Sequence, residues 1–419
     1  MTQLLSNDRA AQRQDGPLAA APTEVEVHAF GLNQGHRNSR LMEDWYRLFE
    51  LDRAASIHHH PEMVRVELAA RKKAGAECLL ILARQCGKPL GLAILLPEHR
   101  QRVLLGLPWQ PFQMKAFRLS GGRPLGIAAD GLLPLLFDSI QQKMEDEGTG
   151  VLIVDDVEAG SEMEGLLGEE GKGRVCLFPY GFQTHVRLRF PENSGSYWST
   201  FSRSTRKKLN KLRRLGSHFS VRRYENPNDV AEFLGAASEI SRRSWQSRRM
   251  GIRVPDDEIQ LGKLTVMALQ GVLRSYILWD GSRPVAFEIM HQRHGYVWCE
   301  EAGFDSDYAA SSPGRFLQVA ILDDLFDERK PDLLDFLGGD AFYKRQFGNE
   351  LGHSGTTWMV MNTLPGRVNA LSIRCSLRLK VMLHDALNRI GLSQFVRRAA
   401  RKVPGSCQIS STDRGGACP

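Results

Sequence analysis

The feature that most constrains this chain is an ordered pattern that occurs twice. Asp130-Gly131 opens a helix that runs to about Glu147, where Gly148–Gly150 ends it before the short apolar strand Val151–Val154. Pro313-Gly314 opens a second helix that ends before Pro331 and leads into Leu334–Leu337. The offset is 314 − 131 = 183 residues, without a gap. Similar signals precede both helices. In the first half, Glu77–Ala83, a polar break at Gln85–Pro89 and Leu90–Leu96 read as a hairpin. In the second, Val272–Trp279, an Asp280-Gly281 turn, Pro284–Gln292 and Tyr296–Ala302 read as consecutive strands. Helix-then-strand alone is common; the shared order favours a duplication. A chain of 419 residues can bury the two cores this requires.

Composition narrows the class. The apolar, charged and aromatic fractions, 42%, 25% and 8%, are those of a soluble globular protein. No apolar run reaches the ~18 residues of a membrane span, and Met1–Asp15 has no apolar signal core, so a cytoplasmic location is expected. The seven cysteines are scattered and odd in number, with no Cys-x-x-Cys pair, which reads as reduced structural thiols; Cys299 sits in an apolar strand as a core residue. The formal charge is +7, but residues 367–402 hold nine Lys or Arg against Asp385 alone, a local +8. The basic character thus belongs to an appendage. The expected units are a disordered 1–24, lobes over 25–190 and 191–362, a basic helical segment over 363–402 and a disordered 403–419. The basic segment either docks on the fold or lies on an anionic membrane surface.

The Ser312-Pro313-Gly314-Arg315 turn is the most informative local site. Ser312 can cap the helix, Pro313 pre-sets its first φ, and Gly314 allows close approach to the backbone. Free amides at such a start bind phosphate and Arg315 adds charge, although the same residues also make an ordinary helix opening. From Ser202 to Leu215, the stripe Phe201, Thr205, Leu209, Leu212 and Leu215 defines an amphipathic helix whose other faces carry Arg206, Lys207, Lys208 and further cations. That surface is either simply solvated or contacts an anion such as a CoA phosphate, a tRNA backbone or a nucleotide-linked sugar. Glu288 lies in an apolar strand, where burial raises a carboxyl pKa; it is the first candidate base, with Glu300 second and a salt-bridged structural role as the alternative for both. His58-His59-His60 reads as a loop before the helix opened by Pro61, because three adjacent residues do not readily converge on one metal. No metal site, Ser-His-Asp arrangement, Walker loop or dinucleotide fingerprint is evident.

Three stretches resemble a known family: Phe201–Leu209, Tyr308–Leu317 and Asp335-Phe336-Leu337-Gly338-Gly339-Asp340 with Tyr343-Lys344. Their order is similar to that of GNAT-fold acyltransferases of the CelD/BcsL branch, which is related to FemAB-type transferases. The resemblance implies an α/β fold of tandem GNAT-like halves, each a mixed sheet flanked by helices, followed by the basic helical segment. It implies acyl transfer from acetyl-CoA or another acyl-CoA to an amine or hydroxyl, on a small-molecule or glycan-precursor acceptor of the cell envelope or an exopolysaccharide. It makes Tyr343 a candidate general acid, with a packed aromatic as the alternative. Lys344 becomes a candidate phosphate ligand, and Asp340 a contact residue or helix cap. The usual Gln/Arg-x-x-Gly-x-Gly/Ala loop is absent, and Ser312-Pro313-Gly314 stands in its place. That departure leaves open aminoacyl transfer from charged tRNA and a non-catalytic module binding polyanions or an inner-membrane assembly.

Overall fold

The computed structural model describes residues 23–32, 39–71, 77–104, 107–126, 131–168, 174–178, 181–251, 253–339, 341–362 and scattered positions between 367 and 382. The first half contributes β1 (Thr23–Gly31), α1 (Ser39–Leu51), α2 (Pro61–Ala70), β2 (Glu77–Gln85), β3 (Lys88–Leu104), β4 (Leu107–Leu119), β5 (Leu125–Gly126), α3 (Leu132–Asp146), β6 (Val151–Glu158), α4 (Glu162–Gly168), β7 (Arg174–Leu177) and β8 (Gln183–Arg189). After α5 (Ser194–Ser199) and α6 (Arg203–Leu215), the order recurs. The second half contributes β9 (Phe219–Tyr224), α7 (Val230–Arg243), α8 (Trp245–Met250), α9 (Glu258–Leu269), β10 (Ser275–Asp280), β11 (Arg283–Arg293), β12 (Tyr296–Phe304), α10 (Pro313–Asp327), β13 (Leu333–Gly338), α11 (Phe342–Phe347) and β14 (Glu350–Met361).

The fourteen strands of the described residues belong to one sheet; twelve are ordered β1-β2-β3-β4-β6-β14-β8-β13-β12-β11-β10-β9, while β5 pairs with β3 and β7 with β14 off this path. The middle of this order departs from two self-contained lobes. Strand β14, last of the described strands, pairs antiparallel with β6 of the first half. Strand β8, from the first half, pairs antiparallel with β13 of the second. The halves therefore exchange their closing strands, and β8 and β14 pair with each other at the seam.

Alternation along each strand divides the core. On one face, α1 and α2 share a single apolar cluster with α7 and α9, which includes Trp45, Met63, Phe233, Leu264 and Phe287. On the other, α3 covers Leu119 and Leu152, while α10 covers Met290 and Leu334. Each fully buried Leu or Phe is worth about 1.5–3 kcal/mol, so a cluster shared across the halves ties them together. Arg293 adds a polar tie: from β11 it donates to the carbonyls of Phe49, Asp52 and Ala55, around the end of α1. These include carbonyls that a helix end leaves without intrahelical donors.

Local signals place the helix starts. Pro61 is the first residue of α2, and His60 Nδ1 accepts from the Glu62 amide at 3.2 Å. The expected alignment of the halves changes, however. The two matched helices begin at Leu132 and Pro313, 181 residues apart, and the strands after them at Val151 and Leu333, 182 apart. Gly131 therefore corresponds to Ser312, not Gly314. Gly131, not Asp130, occupies the first cap position, in the left-handed region with φ 74 and no side-chain bond. Asp130 lies outside the described residues, as does Asp340. Of the basic C-terminal segment, Ala370 and Ile373 pack against β6 and β14, while Val368, Leu371 and Met382 are exposed. No helix among the described residues is long and apolar enough to cross a membrane.

Candidate active site

In each half the parallel strand pair opens into a wedge. In the second half, β12 and β13 are in register only over Tyr296–Trp298 and Leu333–Asp335. Beyond that point β12 continues to Phe304, whereas β13 breaks its register and turns at Leu337, with φ 55. The start of α10 sits at the far end of β12: a Cβ on Gly314 would lie 3.3 Å from the Phe304 ring. Glycine at this position lets the helix start approach the strand.

Ser312 occupies the cap position of α10, but not as a side-chain cap. Its backbone is left-handed (φ 51, ψ 53) and its hydroxyl makes no capping bond. A cap bond normally requires an extended backbone at this residue, so the left-handed turn carries the hydroxyl away from the first-turn amides. Pro313 has no N–H, while the Arg315 and Phe316 amides both reach Ser312 O at 3.1 Å. The Gly314 amide, in the first turn, has no intrahelical acceptor. Arg315 Nε is buried without a hydrogen-bond partner.

Four side chains converge at the open part of this wedge. Glu288, on β11, is 4% exposed. Burial pushes its carboxyl pKa up to about 7, against a hydrogen bond from the Cys299 thiol and the charge of Lys344, which both lower it. Cys299 is buried on the adjacent strand β12, and burial with the Glu288 carboxylate raises its thiol pKa. Tyr343, at the start of α11, is 37% exposed. Burial of its hydroxyl, with Glu288 and Cys299 nearby, raises the phenol above its ordinary value. Lys344, expected to hold a phosphate, instead donates to the backbone carbonyls of Phe336 and Leu337, at 2.7 and 3.1 Å. A lysine so placed supplies charge to the site while fixing the end of β13.

Glu300 does not join this group. Its carboxylate lies 3.4 Å from His58 Nε2 and 3.1 Å from His291 Nδ1. Burial pushes its pKa up, but the bonds to His291 and His58 outweigh that and hold it well below the usual carboxylate range. A carboxylate so stabilised makes a poor base, so Glu300 is an ion-pair residue between the halves, and its candidacy as second base is withdrawn. The three consecutive histidines diverge. His58 meets Glu67 and Glu300, His59 Nε2 lies 2.9 Å from Arg123 O, and His60 caps α2.

On α6, Leu209 is buried in the second-half core, but Leu215 is 61% exposed, so the apolar stripe ends before it. Arg206, Lys207 and Lys208 are exposed, as are Arg203, Lys211 and Arg214, and none of the six has an ion-pair partner among the described residues. Arg213 behaves differently, packing over Trp198 at 4.8 Å and pairing with Asp323.

Two features were not visible in the sequence. Cys299 reads there as core, and nothing local marks Glu288 as its partner. A Ser-His-Asp arrangement also exists, contrary to expectation. Ser354, His185 and Asp335 come from β14, β8 and β13, and are 4%, 3% and 7% exposed. The His185 Nδ1 lies 2.9 Å from Ser354 Oγ, and its Nε2 bonds Asp335. With the serine buried in the sheet, this set is not laid out for nucleophilic attack on a substrate.

Residues 199–345 match the profile of the family described as acetyltransferase (GNAT) domain. The match spans α6, β11, β12, the α10 start and Tyr343. No curated protein matches the sequence. Among solved structures, the chain resembles FemX at 12% identity, with a TM-score of 0.56 over 77% of this chain and 96% of that one. It also resembles the C-terminal domain (DUF2156) of a proposed lysylphosphatidylglycerol synthetase from Agrobacterium fabrum at 11% identity, with a TM-score of 0.50 over 80% and 96%. At these identities the likeness is one of fold. The fold is α/β, with tandem GNAT-like halves built on a mixed sheet flanked by helices.

Proposed function

We propose that this protein is an acyltransferase that moves an acyl group from acyl-CoA to an amine or hydroxyl, using the wedge of the second half. The observation that carries this reading is the buried Glu288 beside Cys299 and Tyr343, with a carboxyl pKa of about 7. Such a group accepts a proton near neutral pH, as attack by an amine or hydroxyl on an acyl carbonyl requires. Tyr343 is the candidate donor of a proton to the departing thiolate. Its high pKa keeps it protonated and able to give that proton.

The residues at the start of α10 suit a diphosphate-bearing donor. The Gly314 amide is free of an intrahelical acceptor, Ser312 supplies no competing cap, and the Arg315 guanidinium has an unpartnered Nε. A thioester donor would supply the activated carbonyl. Glu288 would take the acceptor's proton, Tyr343 would protonate the leaving group, and Lys344 would tune Glu288. Direct attack without an acyl-enzyme is the favoured course, because Cys299 is held as a buried neutral thiol.

The resemblance read from the sequence supports an acceptor among cell-envelope or exopolysaccharide precursors. The exposed cations Arg367, Arg374 and Arg378, with the basic run read from the sequence, support contact with an anionic inner-membrane surface. A second reading, aminoacyl transfer from charged tRNA, is favoured by one observation: six unpaired cations on α6 suit a polyanion. Calorimetric titration with acetyl-CoA, CoA and charged tRNA separates the two. Micromolar acetyl-CoA binding, with CoA release on adding amino sugars, is the expected result. Binding of charged tRNA without CoA would replace the donor. Unchanged turnover in Glu288→Gln would remove the proposed base.

A further inference from the structure

The Ser354–His185–Asp335 set is built from the two exchanged strands and β13, and it touches the proposed site through a short chain of bonds. Asp335 Oδ1 accepts from the Leu337 amide at 2.7 Å, and its other oxygen accepts from Arg187 Nε at 3.1 Å. Leu337 is the residue that β13 turns through with positive φ, a conformation that Leu rarely adopts. The carbonyls of Phe336 and Leu337, at that same turn, hold Lys344 Nζ. Lys344 follows Tyr343 directly and acts on Glu288. With Nε2–H donated to Asp335, the His185 ring accepts a hydrogen bond from the Ser354 hydroxyl at Nδ1, so the donors on the β14 side point towards Asp335, which accepts from Leu337 on the other side. Burial pushes the Asp335 carboxyl up, but the His185 bond and the Arg187 charge keep it below its ordinary value, so it stays an acceptor.

The first half offers a contrast. There Asp155 on β6 pairs with Arg118 and accepts from Thr356 of β14 at 2.9 Å. The seam thus contacts a carboxylate on each side, but among the described residues only the second half links it to a lysine beside a buried glutamate.

Resting on the proposed role of Glu288, we propose that His185 and Asp335 are positioning residues for the second-half site. His185, delivered by the exchanged strand, holds the Asp335 carboxylate; Asp335 holds the Leu337 turn; and that turn seats Lys344 beside Glu288. The closing strand of the first half is thereby part of the second half's catalytic apparatus.

The test compares the full chain with His185→Leu, His185→Gln and Asp335→Asn. Glutamine can still donate to Asp335 and accept from Ser354, so it serves as the rescue. Two readouts are independent of turnover. One is labelling of the Lys344 amine by acetic anhydride, followed by peptide mass spectrometry. Lys330, bonded to Pro191 O at 3.1 Å, is the internal control. The other is the carboxylic-acid infrared band that vanishes in Glu288→Gln, followed against pH. His185→Leu and Asp335→Asn are expected to raise Lys344 labelling several-fold with Lys330 unchanged. They are also expected to move the Glu288 midpoint up by about 0.5 unit or more, because the ammonium charge that favours the carboxylate is displaced. His185→Gln should stay near wild type on both. Unchanged Lys344 labelling in a folded His185→Leu overturns the proposal, as does increased labelling with an unmoved Glu288 midpoint. Should His185→Leu not fold, Asp335→Asn decides by the same two measurements. A protein without acyl-transfer activity but with these shifts would defeat the functional reading and leave the positioning link standing.

Discussion

The two wedges of the sheet share a scaffold and differ in what fills them. In the first half, β4 and β6 pair over Ala116–Arg118 and Val151–Ile153, as β12 and β13 do over Tyr296–Trp298 and Leu333–Asp335. Leu95 pairs with Leu119 where Met290 pairs with Cys299. Counting two residues back along β3 and β11 sets Ala93 against Glu288. The first wedge thus has Ala93 and Leu119 where the second has Glu288 and Cys299, and Leu132, at the start of α3, packs into the same apolar cluster. Leu132 lies so close to Gly91 that a Cβ there would come within 3.0 Å of it. Backbone geometry is set by strand pairing and survives such replacement; chemistry depends on a few side chains. A filled wedge gives stability, whereas one holding a buried carboxyl sacrifices some for reactivity.

This comparison can be broken at its centre. Glu288→Gln should lower kcat by the roughly 10²–10⁴-fold typical of a lost general base, and Tyr343→Phe by a similar factor with little change in KM. Ala93→Glu should destabilise the first half and confer no activity, since a buried unpaired carboxylate has no task there. Wild-type kcat/KM should fall as pH drops through about 7, because protonated Glu288 cannot accept a proton. Steady-state kinetics with a soluble amine acceptor checks all of these, and full activity in Glu288→Gln would erase the distinction between the wedges.

A smaller effect is expected at the helix starts. Ser312→Asp adds a negative charge beside the start of α10, where the Gly314 amide is free, and should weaken CoA binding at least about tenfold by charge repulsion. Gly131→Asn, at the matching left-handed cap of α3, should leave binding unchanged. Calorimetry reads both, and equal losses would mean the donor does not distinguish the halves.

On α6, Lys207→Glu with Lys208→Glu should weaken donor or acceptor binding several-fold and leave the melting temperature nearly unchanged, since exposed unpaired charges contribute little to folding. Unchanged affinity would return this helix to a solvated surface.

The smallest effect sharpens how the halves are joined. Burial lowers the His58 pKa, but Glu300 and Glu67 outweigh it and raise it to about 10, while Glu67, which burial pushes up, is brought to about 2 by His58. The histidine's contribution to stability is complete below its unfolded value of 6.5 and is lost as pH rises through about 10. The Glu67 contribution is complete above 4.5 and is lost as pH falls through about 2. The melting temperature of His58→Phe should therefore trail wild type most between pH 4.5 and 6.5 and converge on it towards pH 10. A pH-independent difference would assign His58 to packing alone.

The sequence by itself determined the hairpin of β2 and β3, the helix-then-strand pairs of α3 with β6 and α10 with β13, the start of α2 and the burial of Glu288 within an apolar strand. These follow from alternation, helix openings and turns, which act over a few residues and are written locally. The tertiary structure alone decided the exchange of β8 and β14, because a strand's own pattern says which face is buried but not which partner lies beside it. It also decided that Ser312 turns left-handed and leaves the Gly314 amide without a side-chain cap, and that Glu300 faces His58 and His291 while Glu288 meets Cys299 and Lys344. His185, 150 residues from Asp335 in sequence, reaches it only through the exchanged strand. The charge and reactivity of each carboxyl depend on neighbours brought together from distant segments, so its chemistry was fixed only once the sheet had closed.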